Sequence, residues 1–338
     1  MKYSKIAAGA TFLALLALAA CKKDDADSTL PSLSGMELND FAAYLATGSV
    51  LDLQADVRNV VGPEGEKPTV FVCWQLNSEA KDTVKTADGS VLYIDLSDEN
   101  LDARWESEYK DKLKKTLTLS EDGEYTLNCY AYASGYYGTS DNIYVNAVTP
   151  ETVVSKTYDL NPVQIGDQTY YTVTKNGKKW MSNNLYDPSA GISFRDCGVL
   201  DRGMGRLYTW TEAQALCPAG WHLPTEVEFR TAFGDAEGII PAGDLIVDAL
   251  FQGREMWTYN ADVQFTNSTG FAALPAGYVD TNDVFNTWNH YGHYAFFWTA
   301  DENENLGTYL YIYEKFPLVR RNHADKNTLY MSVRCTED

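Results

Sequence analysis

The residue types able to do chemistry are few in this chain of 338 residues, and they are unevenly placed. Three of its four histidines, His290, His293 and His323, fall near the C-terminus. Imidazole nitrogens bind Zn²⁺ where three or four ligands converge. His290-Tyr291-Gly292-His293, however, contains a glycine and reads as a loop rather than one face of a helix, which favours solvated histidines. Asp280, Asn282 and Asp283 form one oxygen-rich cluster, and Asp301, Glu302, Asn303 and Glu304 form another. Ca²⁺ takes such ligands, but polar turn residues are the simpler reading. Neither set by itself assigns a metal. Cys197 and Cys217 are the sulfur groups to weigh as nucleophiles. An enzyme needs a nucleophile, an acid–base pair or a metal brought together. No such set stands out, so the expectation is a non-catalytic protein without a cofactor. The segment from Tyr278 to Trp298 is different in kind. It carries Tyr278, Phe285, Trp288, Tyr291 and Tyr294 among Gly and Asn residues. Aromatic rings stack on sugars, and Asp or Asn side chains fix hydroxyls.

The elements that must position these groups begin after a distinct N-terminus. Lys2 and Lys5 precede an apolar run from Ile6 to Ala20, which ends in Leu18-Ala19-Ala20-Cys21. This is the layout of a secretory signal over residues 1–20. The run is too short for a membrane-spanning helix, which needs roughly 20 apolar residues. With Cys at the cut, the pattern resembles the lipobox of bacterial lipoproteins, which implies acylation of Cys21 and a membrane tether through lipid. Lys22-Lys23-Asp24-Asp25 is similar to the surface-export signal of Bacteroidota lipoproteins, so the expected location is the outer membrane, facing the cell surface. Residues 21–36 read as a polar tether.

The chain carries a formal charge of −20. Removing residues 1–20 takes away two lysines and no acid, which leaves −22. Such a chain repels nucleic acid and anionic lipid, so no nucleic-acid partner is expected. Aromatic residues make up 13%, with 23 tyrosines, which suits β-rich structure.

Residues 37–149 read as short strands: Val50–Val57, Thr69–Trp74, Val91–Ile94, Lys115–Leu119, Gly123–Tyr132 and Asn142–Val145. Strands at this spacing, separated by Gly, Asp, Ser and Asn, predict a β-sandwich. Asp122-Gly123-Glu124-Tyr125 resembles the Ig-like, PKD-type domains of surface proteins. It departs from a true Ig domain because Tyr125 stands four residues before Cys129 and Trp74 directly follows Cys73. Residues 98–114 are charged and predict a loop or short helix, and residues 150–159 read as a linker.

From 160 to 338 the chain changes character. Trp180-Met181-Ser182-Asn183-Asn184-Leu185 is followed by Gly205-Arg206-Leu207-Tyr208-Thr209-Trp210 and Cys217-Pro218-Ala219-Gly220-Trp221-His222-Leu223-Pro224. Gly270-Phe271-Ala272-Ala273-Leu274-Pro275-Ala276-Gly277-Tyr278, Phe297-Trp298-Thr299 and Ser332-Val333-Arg334-Cys335 complete the series. In this order the motifs resemble the Fibrobacter succinogenes major paralogous domain. That resemblance implies a fold related to C-type lectin-like domains and formylglycine-generating enzymes. The expected fold class is therefore an α+β C-type lectin-like C-terminal domain behind an all-β Ig-like N-terminal sandwich. Read from the residues alone, Thr211 with Gln214 and Thr225 with Glu228 form capping boxes that open helices at Glu212–Leu216 and Glu226–Phe233. Trp180, Trp210, Trp221 and Trp298 are expected in the core.

With Cys21 assigned to lipid, five cysteines remain, so at least one is unpaired. The expected bridges are Cys73–Cys129 and Cys217–Cys335, the latter joining the two ends of the motif core as in the lectin-like fold. Each would stabilise by roughly 4–5 kcal/mol in the chain-entropy model. Cys197 is left over, a small buried group. In lectin-like folds the long loop region binds ligands, which makes Asp280, Asn282, Asp283, Trp288, His290, Tyr291 and His293 the candidate ligand-binding residues. The functional expectation is recognition of an extracellular glycan or protein. An accessory or tip subunit of a surface appendage and an enzyme of the formylglycine-generating type are the alternatives.

Overall fold

The computed structural model describes residues 30–155, 161–165, 167–257, 263–283 and 288–338. The expected signal sequence and Cys21 lie outside the described residues, as do most of the tether and part of the linker. The chain divides into two compact units, Met1–Ala43 with Thr47–Ala147, and Tyr44–Ala46 with Val148–Asp338.

The first unit is built of antiparallel strands. β1 (Val50–Asp56) alternates strictly: Leu51, Leu53 and Ala55 are buried, whereas Asp52 and Gln54 face outward. β2 (Thr69–Leu76) pairs with β3 (Tyr93–Asp95) on one side and with β5 (Gly123–Tyr132) on the other, and β5 continues to β6 (Thr139–Val148). β4 (Lys114–Thr118) pairs with β1 in a second sheet. Residues 101–113 wind as short helical turns, anchored by buried Leu101, Trp105, Tyr109 and Leu113.

The expected Cys73–Cys129 bridge does not form, and the register explains why. Trp74 stands opposite Cys129, and Cys73 stands opposite Tyr130. Side chains alternate across a strand, so the two sulfurs project from opposite faces of the sheet. Both cysteines are buried, and Cys73 Sγ lies 3.3 Å from Thr83 Oγ1.

The second unit corrects the expected fold class. Strand residues far outnumber helical ones among the described residues, and they are divided among several small sheets. This is an all-β arrangement, not the α+β C-type lectin-like domain. Among the described residues of this unit, the α-helices longer than four residues are α1 (Trp210–Leu216) and α2 (Glu226–Phe233). Pro218 and Gly220 stop the first, and Gly234 stops the second. The aromatic and β-branched content that follows favours strands instead.

Local chemistry sets the helix starts. Thr225 and Glu228 form the expected reciprocal capping box on α2. On α1 the box is Thr209 with Glu212 rather than Thr211 with Gln214. Thr209 has the extended backbone that an N-cap requires, whereas Thr211 lies inside the helix and bonds Asn327 Oδ1 at 2.7 Å.

β7 (Gln168–Lys175) and β8 (Lys178–Met181) form a hairpin. The final strand, β16 (Thr336–Glu337), inserts between β8 and β9 (Trp221–His222). The Cys217–Cys335 disulfide fixes that closure by tying the end of α1 to the residue before β16. A meander of β12 (Tyr294–Asn303), β13 (Leu306–Tyr313) and β14 (Arg320–Asp325) forms the largest sheet of this unit outside that closure. Its inner face carries Phe297, Leu310 and Ile312, which share a core with Trp180, Phe271, and Phe229 and Phe233 of α2. Trp180 and Trp298 are buried as expected, and Trp210 and Trp221 are half-buried.

Candidate functional site

The outer face of the meander is aromatic because of its register. On β12, Tyr294, Phe296 and Trp298 share a face, and they stand opposite Tyr313, Tyr311 and Tyr309 of β13. Tyr294 and Tyr313 stack with centroids 4.2 Å apart and planes within 3°. Phe296 lies 5.4 Å from Tyr294 and 6.0 Å from Tyr311, and Trp298 meets Tyr309 edge-on. β14 adds Asn322 opposite Tyr309 and Arg320 opposite Tyr311. The short strand β10 (Tyr278–Asp280) pairs with β11 (Trp288–Asn289) on one side and β15 (Leu329–Tyr330) on the other, and Tyr278 meets Phe296 at 5.2 Å. The result is a cleft of about 240 Å³ lined by Tyr278, His290, Tyr294, Phe296, Tyr309 and Tyr311, with Phe316, Asn322, Leu329 and Met331 around it.

Burial raises the hydroxyl pKa of Tyr278, Tyr294 and Tyr309. These phenols stay neutral and keep an O–H to donate at any physiological pH. The wall thus combines apolar rings with neutral hydroxyls.

Of the expected aromatic segment, Tyr278 and Tyr294 line the cleft, and Phe285 lies outside the described residues. Of the expected ligand-binding residues, His290 reaches the cleft. It is exposed, has φ 57°, and its ring lies 4.8 Å from Tyr294 and 5.7 Å from Tyr278. Trp288 and Tyr291 do not reach it. Both pack on buried Phe194, at 4.9 and 5.2 Å, in a separate core, and burial pushes the Tyr291 hydroxyl up to about 12. His293 turns away as well: its Nδ1 lies 2.7 Å from Oε1 of Glu314, whose side chain is fully buried. Asp280, Asn282 and Asp283 form a turn. The Asn282 N–H donates to the Asp280 carboxylate, and the Asp283 N–H donates to the Asp280 carbonyl.

The metal sets considered from the sequence are not brought together. His323 lies on the inner face and bonds Thr308 Oγ1 at 3.0 Å, away from His290 and His293. Glu304 occupies the β12–β13 turn with φ 55°, Glu302 pairs with Lys326, and Asp301 accepts the Glu226 N–H at the start of α2. Among the described residues no group of three or more His, Cys, Asp or Glu side chains is arranged to hold a metal ion.

Sequence reasoning missed β13 and β14, which supply Tyr309, Tyr311 and Asn322 to the cleft. The signal was present. Tyr309, Tyr311 and Tyr313 repeat at period two, as do Tyr294, Phe296 and Trp298, on either side of a polar turn. Two such runs predict a hairpin with one aromatic face.

The motif residues do another job. Arg334 is fully buried and donates to Asn184 Oδ1 at 2.8 Å, to the Ala272 carbonyl at 2.9 Å, and to the carbonyls of Met181 and Phe271. Its guanidinium stacks 4.4 Å from the Phe271 ring. Burial pushes its pKa down to about 9, so it is still a cation at neutral pH. One side chain thereby ties together the motifs at 180–185, 270–278 and 332–335.

Residues 145–336 match the model of the Fibrobacter succinogenes major domain. No curated protein matches the chain. Among solved structures, the Yersinia pseudotuberculosis adhesin InvE aligns over 91% of this chain and 70% of its own length, at 12% identity and a TM-score of 0.25.

Proposed function

The chain belongs to the Fibrobacter succinogenes major domain family, and we propose that it is a non-catalytic surface protein that recognises an extracellular glycan or protein through the aromatic cleft. The cleft carries this reading. Its wall of tyrosine, phenylalanine and histidine rings offers apolar surface with neutral hydroxyls, the mixture that sugar rings and protein side chains both accept. Neither cysteine weighed as a nucleophile is poised for that role: Cys217 is bridged, and Cys197 is buried with a thiol that burial raises above its ordinary value.

The presentation of this cleft follows from the N-terminal residues. We place Cys21 as the lipid attachment point, with a polar tether between the anchor and the first unit. No helix among the described residues is long and apolar enough to cross a membrane.

The test uses the full chain on an array of glycans and extracellular matrix proteins, with Tyr311→Ala and Tyr294→Ala compared against wild type by titration of each hit. Both rings are half-buried, so truncation leaves the inner core intact. A loss of affinity of roughly two- to tenfold is expected for each variant, since an aromatic contact contributes about 0.5–1.5 kcal/mol beyond its buried area. Unchanged affinity for every hit in both variants would sink the cleft as the recognition site.

A further inference from the structure

We propose that the cleft takes a sugar bearing a carboxylate, a uronic or sialic acid unit, and that Arg320 is the residue that selects it. This inference rests on the reading of the cleft as a recognition site and narrows its ligand.

Three observations carry it. The first is size. A cleft of about 240 Å³ accepts a short segment of ligand. A globular protein partner needs about 800 Å² of surface from each side. A sugar unit therefore fits this site better than a folded protein does.

The second is the position of Arg320. It stands opposite Tyr311 on β14 and shares the outer face with Asn322, beside the cleft. Its guanidinium lies 4.3 Å from the centre of the Phe316 ring, another cleft residue. The stacking restrains the side chain at the cleft margin and leaves its edge N–H groups available.

The third is charge. On a chain of net charge −20, cations are drawn to carboxylates. Arg58, Arg104, Arg206 and Arg230 are each ion-paired. Arg321, the next residue in the chain, pairs with Glu226 at 3.1 Å. Arg320 makes no ion pair among the described residues. An exposed guanidinium held on an aromatic ring next to a tyrosine-lined cleft is suited to a ligand carboxylate, whose two oxygens match the planar fork. Asn322 and the tyrosine hydroxyls then have sugar hydroxyls to meet. The surrounding negative charge is screened beyond about 8 Å at physiological salt, so it does not cancel a direct contact.

The experiment pairs each acidic probe with its carboxyl-reduced counterpart: oligogalacturonate, hyaluronan oligosaccharide and sialyllactose. Binding to the full chain is measured at 150 mM salt for wild type, Arg320→Gln and Tyr311→Ala. The expected result is that wild type binds at least one acidic probe tenfold or more tighter than its reduced partner. Arg320→Gln should erase that difference, with the larger loss falling on the acidic probe. If acidic and reduced probes bind equally, or if Arg320→Gln keeps the preference, the inference is overturned; continued sensitivity to Tyr311→Ala would then leave the cleft reading standing. If Tyr311→Ala weakens binding of no probe, the cleft reading falls together with the inference.

Discussion

Arg334 places a full positive charge in the core, and among the described residues it has no carboxylate partner. Its compensation is a set of carbonyl acceptors, the Asn184 amide and two aromatic faces. Removing it leaves those acceptors unsatisfied and opens a cavity among three chain segments. Arg334→Ala should therefore lower unfolding stability by about 3–5 kcal/mol in urea titrations. Arg334→Lys should recover little, because an ammonium cannot reproduce the planar fork. A loss below 1 kcal/mol for the alanine variant would show that the motifs are held by other contacts. Glu226 acts at the same scale. Burial alone would raise its pKa, but hydrogen bonds and charge from Arg230 and Arg321 outweigh that and lower it. A carboxylate with a depressed folded pKa stabilises fully above its unfolded value, near 4.5, and the contribution vanishes as pH falls through the folded value. Melting temperature should fall as pH drops below about 4.5, and Glu226→Gln should flatten that acid limb. An identical limb in the variant would assign the acid sensitivity to other carboxylates.

Among the elements, α2 carries the most weight. It is eight residues long, too short to be stable alone, and it exists because Phe229 and Phe233 bury against the meander. Thr225 starts it and Asp301 from β12 caps it a second time. Thr225→Ala should cost about 1 kcal/mol, read as a shift in denaturation midpoint with unchanged slope. The small sheets are the other lesson at this scale. β16 is two residues long, yet it joins β8 to β9, and the Cys217–Cys335 bridge holds it there. Reducing that bridge releases a closed loop of more than a hundred residues in the unfolded state. It should lower stability by roughly 2–5 kcal/mol, measured by comparing unfolding with and without reductant. Trp288→Ala with Tyr291→Ala belongs here too: both rings pack on Phe194, so the pair should lower the melting temperature, with little direct effect on the cleft.

For the whole molecule, the proposal combines a lipid anchor at Cys21 with a recognition cleft in the second unit. Its first requirement is acylation of Cys21. In a host with lipoprotein processing, the full chain should incorporate labelled fatty acid and sediment with membranes, whereas Cys21→Ala should do neither. Label retained by the variant would move the anchor elsewhere. The charge of −20 adds a consistent property at this scale. It favours solubility and keeps the chain off anionic surfaces, so that contact depends on local groups such as those at the cleft.

The sequence by itself determined the family, through motifs that match over residues 145–336, and the strand pattern of the first unit, because alternation and turn residues act locally. It also determined α2 and its capping box, and the Cys217–Cys335 pair. The tertiary structure decided what depends on register and on distant partners. Register alone put Cys73 and Cys129 on opposite faces of one sheet. It also set Tyr309 and Tyr311 against Phe296, building the cleft from strands the sequence reading passed over. Packing drew Trp288 and Tyr291 onto Phe194 and left Tyr278, His290 and Tyr294 of the expected segment beside the cleft. The all-β outcome has the same cause. Short helices persist only where a core face receives them, and in this chain most core faces are offered by strands.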